Sequence, residues 1–289
     1  MTLMHTNSKT VIFIHIPKAA GITFYQILKR QHKTQYIQYI EAGISKQRSI
    51  DAFRELPEEK RARLRCILGH MPFGLHQWLL QTATYITILR NPVERVVSEY
   101  YFLRRKPAHP LFSELIEKNV SLEGYIRMMS DMNTANLQTR WVSGCVDFDS
   151  VIPPYEDLPA NALDMAKENI KNRFSVCGLT KRFDESLLLM QKILGWKNIY
   201  YMRRNVGKRR ASKDQLPAAT LHLIEKQEEK DLELFEYAAK RLAEMLDANN
   251  IGDEKIRSFR AKNRLFGPPL CICELFVRKL GTIANTIIQ

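Results

Sequence analysis

VIFIHIPKAAGITFYQILKR, residues 11–30, reads as a buried strand, a tight basic loop and the start of a helix. Val11, Ile12, Phe13, Ile14 and Ile16 make an almost continuous apolar run of strand length, as expected of a parallel strand covered on both faces. Pro17 ends the ladder, having no N–H to donate. Gly21 permits a backbone conformation or a close approach that a side chain would obstruct, and Thr23 can cap or open a helix. Helix-start amides, the helix dipole and the Lys18 ammonium then converge on one point, which suits a phosphate or sulfate ester. A strand-to-helix turn with a surface lysine is the alternative. The loop is not a Walker A sequence, because PKAAGIT stands where G-x-x-x-x-G-K-[ST] is required. That counts against a kinase or NTPase.

A second stretch repeats the grammar. YITILRNPVERVVSEYYFLRR, residues 85–105, has a β-rich run ending at Leu89, then Arg90, then Pro92 at a first helical turn. The helix that follows carries Arg95, Ser98, Tyr101 and Arg105. Arg90 at a strand end and Ser98 on the departing helix could grip a second, terminal phosphate, Arg as a planar fork of donors and Ser as a short hydroxyl.

HIPKAAGIT resembles the 5'-phosphosulfate loop, and LRNPVERVVSEYY the 3'-phosphate motif, of sulfotransferases that use 3'-phosphoadenylyl sulfate (PAPS). The closer resemblance is to the carbohydrate branch related to heparan sulfate 2-O-sulfotransferase and its bacterial relatives. RCILGHMPFGLH, NLQTRWVSG and FSVCGLTKRFDESLLLM resemble further segments of that family, so the likeness runs from about residue 9 to about residue 240. It implies an α/β fold with a central, mainly parallel sheet flanked by helices and a P-loop-like nucleotide site. PAPS would be held by Lys18, Ala19, Ala20, Gly21, Ile22 and Thr23 at one end and by Arg90 and Ser98 at the other. A late loop in the family closes over the nucleotide, which makes Lys208 and Arg209 candidates for its 3'-phosphate. The implied reaction is in-line transfer of a sulfuryl group to a hydroxyl, most naturally on a carbohydrate, with Lys18 stabilising charge on the bridging oxygen and no metal required. Departures are Ala19 and Ile22 where the family usually has hydroxyls, Asn91 for a common Asp and Lys181 for a common Glu. The first two keep open a protein that binds nucleotide without transfer.

The third candidate is His70, directly after the apolar strand end Cys66–Gly69. If the strands are parallel, it falls on the same rim as Lys18 and Arg90, and a neutral imidazole there could take the acceptor's proton as a general base. His15, inside the first apolar run, reads as packing. His76 and His109 are weaker competitors. In NLQTRWVSG, Asn136, Gln138, Arg140 and Trp141 supply amide, cationic and aromatic groups suited to a sugar, or else mark a helix end with Trp141 in the core.

At 289 residues the chain can build one large α/β domain, and no composition break divides it. Residues 1–250 read as that domain and 251–289 as a basic, then apolar tail, broken at Gly267-Pro268-Pro269, that docks, pairs subunits or touches a membrane surface. The net charge of +13 favours polyanionic partners. Its basic residues are dispersed or sit in nucleotide motifs, and no nucleic-acid-binding signature is present, so nucleic acid is not the expected partner. Five scattered cysteines and the lack of an apolar leader suggest reduced thiols and a cytoplasmic location. No His/Asp/Glu cluster with metal-ligand spacing occurs. Further elements are expected at 34–40 (strand), 49–65 (a helix interrupted near Pro57) and 217–247 (one or two helices). The last should bury a stripe of Leu221, Ile224, Leu232, Phe235 and Ala239.

Overall fold

The computed structural model describes residues 9–43, 45–202 and 215–287, with residues 273–287 by their backbone alone. Five strands, β1 (Thr10–Ile14), β2 (Ile37–Ile40), β3 (Cys66–Gly69), β4 (Ala83–Leu89) and β5 (Phe174–Leu179), form one sheet in the order β2-β3-β1-β4-β5. Every pairing is parallel. β1 and β3 are buried at every position, which explains their unbroken apolar runs.

Among the described residues, twelve α-helices accompany this sheet. The first half of the chain supplies α1 (Gly21–Gln31), α2 (Ser45–Arg54), α3 (Glu58–Ala62), α4 (Pro92–Leu103), α5 (Phe112–Glu117) and α6 (Leu122–Asp131). The second supplies α7 (Leu137–Ser143), α8 (Ala162–Asn172), α9 (Phe183–Leu194), α10 (Ala218–Gln227), α11 (Glu229–Ala248) and α12 (Asp253–Ile287). From β1 the chain crosses to the β2 side, and from β3 to the β4 side. The crevice between the carboxyl ends of β1 and β4 is therefore the topological switch point, where ligands of open α/β sheets bind.

Several boundaries differ from expectation. The expected strand at 34–40 begins as a 3-10 turn over Thr34–Tyr36 and only then becomes β2. The helix expected over 49–65 starts earlier and splits into α2 and α3 around Pro57. In α11 the buried stripe is Asp231, Leu234, Ala238, Leu242 and Leu246, one residue out of phase with the expected one, so Leu232, Phe235 and Ala239 lie at its margin.

Residues 267–269 do not break the tail, because α12 passes through both prolines. The carbonyls that lose their helical N–H partners there belong to Arg264 and Leu265, which are exposed and open to water. The helix also gains from docking. Ile256 and Phe259 join the main core, and Asn263 clamps the Tyr201 backbone, accepting from its N–H at 2.7 Å and donating to its carbonyl at 3.1 Å. A Cβ on Gly267 would meet that carbonyl at 2.3 Å. Among the described residues, no helix is long and apolar enough to cross a membrane.

Candidate active site

The register that pairs Ile14 with Gly69 sets the next residues, His15 and His70, side by side at the rim. The His15 N–H donates to the Gly69 carbonyl at 2.8 Å, so the pairing runs one residue past the strand. The two ring centroids are 4.3 Å apart, and the His15 ring also stacks with Phe13 at a centroid distance of 5.7 Å. His15 thus packs as expected, but one residue beyond β1 and beside His70, not inside the strand. A Cβ placed on Gly21 would lie 1.6 Å from His15 Nε2, which makes close approach the reason for glycine here.

The basic loop is wound tightly between these points. Lys18 and Ala20 both adopt left-handed backbone conformations, φ 65° and 60°, at a cost of roughly 1–2 kcal/mol each. Strain of this kind is commonly held at ligand-binding loops. Ala20 is the N-cap of α1, which starts at Gly21, two residues before Thr23. Ala20 has no side chain that can cap the helix, and the first turn holds no acidic residue. The start of α1 thus keeps the positive character that suits an external anion. The Lys18 ammonium rests 3.8 Å from the centroid of the Phe102 ring on α4. Ala19 is buried in the core and Ile22 half-exposed, so a hydroxyl at 19 would point inward.

Arg90 follows β4 and is buried. Its Nη1 donates to the Lys18 carbonyl at 2.9 Å, bridging the crevice between the two loops. Glu94 lies between Arg90 Nε (3.6 Å) and Lys181 Nζ (2.8 Å). Lys181 therefore serves an ion pair here, while Asn91 caps α4 by accepting from the Glu94 N–H. Thr23 and Ser98 are both buried. Arg95, on the same helix, is fully buried and paired with Glu99 and Glu228. Lys208 and Arg209 lie outside the described residues.

His70 sits 6.1 Å from the Trp141 ring, edge to face. Burial first, then the nearby His15 and Lys46, hold its imidazole well below the usual histidine range, so the ring is neutral at physiological pH. Lys46 on α2 is an addition to the expected set. It is buried, donates to the Val151 carbonyl at 2.7 Å, lies 4.8 Å from the Trp141 ring and is pushed down by burial to about 8. Nothing in the polar run SKQR distinguishes it from a surface lysine; only the tertiary fold reveals its place.

The segment expected to meet a sugar is turned inward. Gln138, Arg140 and Trp141 are buried, and Arg140 spends its guanidinium on the carbonyls of Ala135 and Glu156. Asn136 donates to the Gln227 carbonyl and accepts from the Asp231 N–H. Gln138 binds both backbone groups of Arg90. The physical reason is that α7 packs against α8 and α11, and these polar side chains satisfy backbone groups of neighbouring loops and helix ends and, through Gln138, of the residue after β4. His76 is engaged with the Tyr85 hydroxyl, and His109 accepts from the Leu111 N–H.

These features define a class: an α/β protein with two basic strand-end loops beside a neutral histidine at the rim of a parallel sheet. The Galactose-3-O-sulfotransferase family model matches residues 4–266, and the chain belongs to that family. It is 25% identical over 206 residues to the Heparan sulfate 2-O-sulfotransferase hst-2 of Caenorhabditis elegans, an alignment covering 64% of this chain. The match spans only 60% of that relative's length. A crystal structure of mouse sulfotransferase SULT7A1 complexed with PAP matches 88% of this chain and 89% of its own at 13% identity and a TM-score of 0.37.

Proposed function

We propose that this protein is a PAPS-dependent carbohydrate O-sulfotransferase. The observation that carries the reading is the Arg90–Lys18 bridge across the switch point, which holds two anion-suited loops together beside the neutral His70. Family membership supports sulfuryl transfer and a sugar hydroxyl as acceptor, with galactose the first to try. PAPS supplies the sulfuryl group when bound.

In this reading Lys18 and the first-turn amides of α1 hold the phosphosulfate end, and Arg90 and Ser98 the 3'-phosphate. Lys18 is placed to balance negative charge that grows on the departing phosphate. His70 accepts the acceptor hydroxyl's proton, and the absence of a competing charge on the imidazole keeps its lone pair available. The buried position of Ala19 supports an active enzyme over a binding protein that has lost transfer, since the missing hydroxyl there would not face a ligand.

Isothermal titration with adenosine 3',5'-bisphosphate, with AMP as the control lacking the 3'-phosphate, tests the nucleotide site. Labelled PAPS offered with glycans ending in galactose, and with uronic-acid polymers, tests transfer. Binding of the bisphosphate that AMP does not match, followed by label on a glycan, supports the reading. A folded protein that binds neither nucleotide overturns it.

A further inference from the structure

We propose that Gln138 is a positioning residue that sets the protein's discrimination for the 3'-phosphorylated nucleotide. The inference rests on the reading of Arg90 as the 3'-phosphate ligand. It goes beyond that reading by assigning the aim of Arg90 to a residue on another element that faces no ligand.

Arg90 lies beyond the sheet. The β1–β4 pairing ends at Ile14 with Thr87 and the β4–β5 pairing at Leu89 with Leu179, so the peptide groups of Arg90 have no strand partner. Being buried, they require one. Gln138 supplies both halves: its Oε1 accepts from the Arg90 N–H at 2.9 Å and its Nε2 donates to the Arg90 carbonyl at 2.9 Å. A flipped amide would set donor against donor and acceptor against acceptor, so the orientation is fixed by the network. The clamp acts on one residue's N–H and C=O together, as a neighbouring strand would. It thereby restrains the backbone from which the guanidinium reaches the Lys18 carbonyl at 2.9 Å.

Gln138 is itself held. It is fully buried, and its N–H donates to Asp231 Oδ2 at 3.0 Å while the neighbouring Thr139 N–H donates to Oδ1 of the same carboxylate at 2.6 Å. A continuous chain therefore runs from α11 through α7 to the end of β4 and on to the first loop. Loss of the clamp would free the backbone of Arg90 and loosen its hold on the Lys18 carbonyl, while the first loop keeps its own bonds from the Ala19 N–H to the Ile16 carbonyl and from the Phe24 N–H to the Ala20 carbonyl. The larger consequence therefore falls on the 3'-phosphate end of the nucleotide.

The test is isothermal titration of wild type, Gln138→Leu and Gln138→Glu with adenosine 3',5'-bisphosphate and with AMP, alongside thermal unfolding of each. In Gln138→Leu, affinity for the bisphosphate should fall about tenfold or more, the scale of one or two lost hydrogen bonds, with AMP changed by no more than about twofold. Gln138→Glu adds a readout that mere loosening would not move. As a carboxylate it confronts the Arg90 carbonyl, but protonated it offers one acceptor and one O–H donor in the same places. Its bisphosphate affinity, taken relative to wild type at each pH, should recover between pH 8.5 and 5.5, whereas that of Gln138→Leu should not. If Gln138→Leu fails to fold, the pH series on Gln138→Glu decides. Folded variants that keep the wild-type preference, or that lose both nucleotides equally, overturn the inference alone. A wild type that binds the bisphosphate no better than AMP overturns the role of Arg90, and this inference with it.

Discussion

His15 and His70 stand one residue past the ends of adjacent parallel strands with their rings 4.3 Å apart, a pair in which His15 makes His70 harder to protonate. Burial holds His15 down to about 4, with the Lys18 ammonium acting in the same direction, and holds His70 lower than the usual range as well. The site thus keeps two neutral imidazoles across the physiological range.

If His70 is the base, the acid limb of kcat/KM must reflect its depressed pKa. Protonation disables a base, so the rate should hold as pH falls through 6.5 and drop only well below it. His70→Ala should lower kcat by about a hundredfold or more, with little change in bisphosphate affinity. Steady-state rates on the true acceptor check both, and an unaltered kcat in His70→Ala would remove the residue from the mechanism.

Lys46 contributes to that depression through its charge. Lys46→Met removes a positive neighbour, makes the imidazolium easier to form and should move the acid limb to higher pH. Lys46→Arg keeps the charge and should leave the limb near its wild-type position. A pH–rate profile that does not shift in Lys46→Met would show that the ammonium is screened from His70.

Gly21→Ala should destabilise the fold through a single collision. The new Cβ would lie 1.6 Å from His15 Nε2, and the ring is confined by Phe13 and His70. Overpacking of this type costs about 1–3 kcal/mol. His15→Ala, combined with Gly21→Ala, should recover much of that loss, which makes the pair strongly non-additive in a double-mutant cycle of unfolding free energies. Additive effects would mean that the loop relaxes elsewhere.

The strands carrying the rim were legible because parallel strands buried on both faces leave unbroken apolar runs, and Lys18, His70 and Arg90 each follow such a run. Tertiary partners were not legible. Asp231 occupies the centre of the buried stripe of α11 because it receives the N–H groups of Gln138 and Thr139 from a distant part of the chain. Read alone, an Asp at that position places the stripe one residue along, on Leu232. Lys46 was hidden for the same reason, and Gln138, legible as a polar group suited to a sugar, was not legible as a clamp, until the groups they satisfy, the Val151 carbonyl and the Arg90 backbone, were known. Pro268 and Pro269 misled in the opposite direction, since a local breaker was overruled by the docking of α12 on Tyr201 and Asp184 through Asn263 and Arg260.

The support beneath α7 carries its own pH dependence. Glu228 is fully buried, accepts from the Asn136 N–H at 3.1 Å and faces Arg95 at 3.4 Å. Burial pushes its carboxyl up to about 8; Arg95 pulls against that shift and the neighbouring Asp231 adds to it. An acid whose folded pKa lies above its unfolded one binds its proton more tightly in the folded state. Its stabilising contribution is therefore full below about 4.5 and is lost as pH rises through about 8. Arg95 retains Glu99 at 2.8 Å, so the guanidinium stays paired whether or not Glu228 is ionised. Glu228→Gln keeps an acceptor for the Asn136 N–H and cannot ionise. Its unfolding temperature should consequently fall less than that of wild type between pH 5.5 and 8.5, measured in the same buffers. A flat wild-type profile, with Glu228→Gln lowered equally at both ends, would instead mean that Glu228 is ionised throughout and that its pairing with Arg95 outweighs burial.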